Sequence, residues 1–105
     1  MKKFVLTEIR RMNGGPAEES KISFVDKREA QSYMVCNLHM DLQYGGFEHM
    51  SETDETLPIE ELQNMFYDDP EFKFDVDYLA LWNGEELEES DHFCIYEITE
   101  RKSNN

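Results

Sequence analysis

Basic side chains all but vanish from the second half of this chain. Between residues 52 and 100, Lys73 stands alone among 17 acids. A protein that holds nucleic acid through a general basic surface is thereby excluded. Long apolar runs are missing as well. No stretch approaches the ~20 residues that a membrane-spanning helix needs. Glu8, Arg10 and Arg11 break any signal-like segment behind Met1-Lys2-Lys3-Phe4, so the expected location is cytoplasmic. Cysteine is scarce: Cys36 and Cys94 make no disulfide framework, and cytosolic thiols normally stay reduced. Glycine is sparse and sits in turn-like pairs, Asn13-Gly14-Gly15 and Tyr44-Gly45-Gly46, which fit no phosphate-binding or dinucleotide pattern. A Gly-x-Ser-x-Gly nucleophile elbow is absent too.

What is present suffices for one folded domain. The 105 residues are 39% hydrophobic, with seven Phe, five Tyr and one Trp. Such a chain can bury a core despite a net charge of −14. Residues 1–102 read as a single domain and 103–105 as a frayed tail. The charge is unevenly placed. Residues 1–51 hold seven acids and seven bases, whereas the 17 acids and one base of 52–100 give −16. That excess is more than solubility requires, and its self-repulsion opposes compaction.

Local pattern predicts a fold. Residues 3–12 and 21–25 read as two strands of a hairpin broken by Asn13-Gly14-Gly15-Pro16. Asp26 with Glu29 reads as a capping box opening a helix to about Tyr44. Ala30, Tyr33, Met34, Leu38 and Leu42 make its apolar stripe, and Gly45-Gly46 stops it. Residues 47–56 read as a surface loop. Pro58 reads as the first position of a second helix, with Ile59, Leu62, Met65 and Phe66 on its buried side and Asp68-Asp69-Pro70 ending it. Residues 72–82 alternate with period two. Phe72, Phe74, Val76, Tyr78, Ala80 and Trp82 form the face expected to be buried, opposite Lys73, Asp75, Asp77, Leu79 and Leu81. Asn83-Gly84 is a turn signal, and 92–99 is the last strand. The expected fold is α+β, ββααββ, an antiparallel sheet with two helices packed on one face.

Catalytic and metal chemistry find little support. Paired carboxylates are so abundant that adjacency means nothing by itself. Cys36-x-x-His39 on the helix and His92-x-Cys94 on the last strand form a conceivable two-Cys, two-His zinc set. Their spacing matches no zinc-finger pattern, and a buried cysteine is more simply a small core residue. Asp75, Asp77 and residues 85–91 lack the order of a calcium loop. The expectation is a non-enzyme without metal or cofactor.

The acids themselves remain. Asp68, Asp69, Glu71, Asp75, Asp77, Glu85, Glu86, Glu88, Glu89 and Asp91, with Leu87 among them, are the candidate partner-binding residues. Gathered on one side, they would steer a basic partner electrostatically. Rows of fixed anions imitate a DNA backbone, and basic grooves exist mainly to hold phosphates. In size, acidity and lack of catalytic motifs, the chain resembles the small acidic inhibitors that phages and mobile elements use against host nucleases. These are the anti-CRISPR and anti-restriction DNA mimics. The resemblance is one of class, rests on residues 52–100 and carries over no individual residue. It implies a stoichiometric inhibitor occupying the basic DNA-binding groove of a CRISPR effector or other nuclease. The alternative is a protein–protein adaptor using Leu79, Leu81 and Leu87 as apolar anchors within an acidic rim.

Overall fold

A computed structural model of the chain describes residues 2–52, 55–58 and 77–102. Lys2–Arg11 forms β1 and Glu18–Phe24 forms β2, paired antiparallel with Leu6 opposite Ile22. The turn between them places Asn13 at φ 52° and Gly14 at φ 78°. Both angles lie in the left-handed region that Gly and Asn tolerate best.

Helix α1 spans Lys27–Tyr44. Its N-cap is Asp26, whose carboxylate accepts the Arg28 backbone N–H at 3.0 Å. That bond satisfies one of the donors a helix start leaves open. At the other end the Gly45 N–H returns to the Asp41 carbonyl at 2.7 Å, and Gly46 takes φ 70°. Ala30, Met34, Leu38 and Leu42 are buried as the stripe requires, whereas Tyr33 is exposed.

Four further strands follow: β3 at His49–Glu52, β4 at Glu55–Pro58, β5 at Tyr78–Trp82 and β6 at Phe93–Lys102. A 3-10 turn covers Leu87–Glu89. Among the described residues the sheet has six strands in the order β2-β1-β6-β5-β3-β4, and each of their pairings is antiparallel. One face packs on α1. Leu6, Met50, Leu79, Leu81, Cys94, Tyr96 and Ile98 from the sheet join Ala30, Met34, Leu38 and Leu42 in one core cluster.

The ββααββ expectation with two helices is therefore corrected. The described residues form six strands and one α-helix. The segment read as a loop contains β3 and the first half of β4. Its few apolar residues gave no visible period. Register supplies what pattern lacked, because Met50 stands opposite both Leu57 and Leu81. Pro58, expected at the start of a helix, closes β4. A proline fits there because it stands at the end of the strand that is outermost among the described residues. The rest of the expected second helix lies outside the described residues, as do 72–76 and the tail at 103–105.

The faces of β5 are also corrected. Leu79 and Leu81 are fully buried beneath α1, so neither is an exposed anchor. Ala80, on the opposite face, is fully buried too, and Tyr78 and Trp82 are half-buried. A strand covered on both faces hides which side meets the helix, and the larger aromatics misdirect the choice.

Candidate acidic interface

The segment joining β5 to β6 carries the densest charge that the structure describes. Glu85, Glu86, Glu88, Glu89 and Asp91 are exposed, and Leu87 is half-buried. A free loop with this charge would spread apart; here the backbone holds it. Gly84 takes φ 95°, allowing a sharp exit from β5. Within the 3-10 turn, the Glu89 and Ser90 N–H groups reach the Glu86 and Leu87 carbonyls, each at 3.2 Å.

Ser90 is the pin. It is only 4% exposed. Its Oγ donates to the His92 carbonyl at 2.7 Å and accepts the His92 and Asn83 N–H groups at 3.1 and 3.2 Å. Asn83 extends the tie to the far end of α1. Its Oδ1 accepts the Glu48 N–H at 2.8 Å, and its Nδ2 donates to the Gly46 carbonyl at 2.9 Å. The β1–β2 turn clamps the other side, with the Gly14 N–H on the Asp91 carbonyl at 2.8 Å. His92 completes the joint. Its Nδ1 accepts the Asn13 N–H at 3.4 Å, and its Nε2 donates to the Gly45 carbonyl at 2.5 Å. The acids thus project from a turn fastened at both ends. Their one ion pair among the described residues is Arg11 to Asp91 at 3.6 Å.

Asp77 does not join this group. It precedes β5, whereas Glu85–Asp91 follows it, and the five residues between span about 17 Å. Asp77 pairs instead with Lys27 at the start of α1, at 3.0 Å. Asp68, Asp69, Glu71 and Asp75 lie outside the described residues. The zinc candidates do not assemble either. Cys36 is exposed on α1, Cys94 is buried beneath the helix, and the His92 ring is engaged by backbone. Among the described residues no group of three or more His, Cys, Asp or Glu side chains is placed to hold a metal ion.

A second polar cluster escaped the sequence reading. Arg10 of β1 reaches inward and its Nη2 donates to Glu8 at 2.7 Å, to both oxygens of Asp41 at 2.8 and 3.0 Å, and to the Tyr96 hydroxyl at 3.1 Å. The Tyr96 hydroxyl donates in turn to Asp41 at 2.5 Å, and the Cys94 thiol faces Glu8 at 3.7 Å. Burial pushes the Cys94 thiol up to about 12. Burial, reinforced by Cys94 and Asp41, holds the Tyr96 phenol well above its ordinary value. For Arg10, burial opposes the charge, but the Glu8 hydrogen bond and the surrounding negative groups outweigh it, so the guanidinium stays firmly protonated. This arrangement bolts α1 to the sheet. A sequence signal existed. Asp41 follows Met34 by seven residues and Leu38 by three, which places an acid on the apolar stripe and demands a buried partner.

No protein-family model, curated protein or solved structure matches the chain. Among the described residues no helix is long and apolar enough to cross a membrane.

Proposed function

We propose that the chain is a non-enzymatic acidic inhibitor that occupies the basic DNA-binding groove of a host-defence nuclease, such as a CRISPR effector or a restriction enzyme. The observation supporting this reading is the fastened turn at residues 85–91. Its five acids are exposed, clustered and anchored to both neighbouring turns. A decoy for phosphates needs charge held in place, because a mobile acidic loop loses conformational entropy on docking. The field of the turn steers encounter with a basic groove, and the inhibitor needs no chemistry of its own.

The test uses a panel of purified CRISPR effector nucleases and restriction enzymes, with DNA cleavage as the readout. Inhibition of a panel member is expected to weaken at least tenfold between 50 and 300 mM salt. It should also weaken with Glu85, Glu86, Glu88 and Glu89 together changed to Gln. Inhibition of no member, or equal inhibition by the quadruple variant, overturns the decoy. In the adaptor reading, Leu87 remains after Leu79 and Leu81 are lost to the core. That reading is favoured if binding survives high salt and fails with Leu87→Ala.

A further inference from the structure

The long β1–β6 ladder ends in like charges. Lys2 stands opposite Lys102, and Lys3 opposite Arg101. Like charges directly opposite in an antiparallel pair are destabilising, and among the described residues a single ion pair offsets these four bases. The adjacent Glu100 pairs with Lys2 at 3.3 Å. Lys3, Arg101 and Lys102 have no ion pair among the described residues. These three bases, with Val5 and Ser23, line an open concavity of about 300 Å³. Register places Lys3, Val5, Ser23 and Arg101 on the sheet face away from α1, with Ser23 opposite Val5.

We propose that this concavity binds the phosphoryl group of a small ligand, either free phosphate or a nucleotide. A bound dianion removes the cross-strand repulsion that the unliganded ladder carries. Arg101 presents a planar fork matched to two phosphate oxygens, Lys3 supplies a point charge from the same face, and the Ser23 hydroxyl adds a neutral donor. Distance selects a small ligand over a polymer. The acidic turn precedes the first residue of β6 and the basic cluster sits at its last, so the two lie about 30 Å apart. The Debye length in physiological salt is about 8 Å. A compact anion in the concavity is therefore screened from the acidic turn. A duplex or an anionic bilayer would also lie along the acidic remainder of the molecule and be repelled.

Amide-resolved NMR of the full chain in 150 mM NaCl provides the test. The probes are inorganic phosphate, a nucleoside diphosphate, a 20-nucleotide single strand and phosphatidylserine vesicles. Saturable shifts at Lys3, Ser23 and Arg101 are expected with phosphate, with the nucleoside diphosphate, or with both. The stronger of the two identifies the source of the phosphoryl group. The Lys3→Gln/Arg101→Gln pair should weaken binding at least tenfold, and Ser23→Ala severalfold, with unchanged helical circular dichroism. Relief of like-charge repulsion should also keep the double variant at least as stable as the parent. The site does not depend on the acidic turn, so the quadruple Gln variant at 85–89 should bind phosphate as the parent does. Absence of saturable shifts with both small probes, undiminished binding by the double variant, or tighter binding of the strand or vesicles would overturn the proposal.

Discussion

Two titratable side chains under α1 give the protein an alkaline limit. The Cys94 thiol is raised from 9.0 to about 12, and the Tyr96 phenol is raised above its ordinary 10.0, in both cases chiefly by burial. In the unfolded chain these groups lose their protons at ordinary values, whereas the folded chain keeps them. The unfolded state therefore binds fewer protons above pH 9, and stability falls as pH rises. The contribution is whole below pH 9 and is lost progressively through about pH 12. Urea midpoints measured from pH 8 to 11 are expected to decline above pH 9. The decline should be shallower in Cys94→Ala/Tyr96→Phe. An unchanged slope in that variant would show that other groups set the limit.

At the scale of elements, the half-buried Arg10, bonded to the buried Asp41, is what joins helix to sheet. Asp41 is 7% exposed and takes two bonds from one guanidinium nitrogen. Arg10→Met keeps much of the side-chain volume but leaves Asp41 and Glu8 without their cation. Breaking such a pair by removing one partner costs about 3–5 kcal/mol, a large share of a small domain's stability. Tyr96→Phe removes a single hydroxyl and should cost about 1–2 kcal/mol. Chemical denaturation of both variants checks the order, and a smaller loss in Arg10→Met would mean that water reaches the carboxylates. The same cluster shows why some of the fold was legible and some was not. Helix α1 could be read to its ends because its signals are local: Asp26 at the cap, glycines at the stop and a stripe between. The β1–β2 hairpin was legible for the same reason. The partnership of Arg10 with Asp41 is not local, since 31 residues separate the two. Nor is the pairing of β3 with β5, where Met50 meets Leu81 only through register. Of the candidate acids, 85–91 were legible as a dense exposed cluster. The bonds of Ser90, Asn83 and His92 that fasten it join distant turns and leave no periodic trace.

Over the whole molecule, repulsion and ion pairing respond to salt with opposite signs, and their sizes decide which prevails. The exposed pairs Lys2–Glu100, Lys21–Glu19, Lys27–Asp77 and Arg11–Asp91 are each worth at most about 1 kcal/mol, and salt weakens them. The net charge of −14 produces many like-charge interactions at longer range, and salt weakens those more. The Debye length shrinks from about 30 Å at 10 mM to about 8 Å at physiological ionic strength. The dense anions at 85–91 lie within a few ångströms of one another along the chain, so part of their repulsion survives screening. Raising NaCl from 10 to 200 mM is therefore expected to increase the urea midpoint. The quadruple Gln variant at Glu85, Glu86, Glu88 and Glu89 should be more stable than the parent at 10 mM, with a smaller response to salt. A midpoint that falls with salt would show that the surface pairs dominate. The variant also separates folding from function. If it melts later yet inhibits less, the loss belongs to the interface and not to the fold. The acids would then be retained against the stability of the domain because a basic partner requires them.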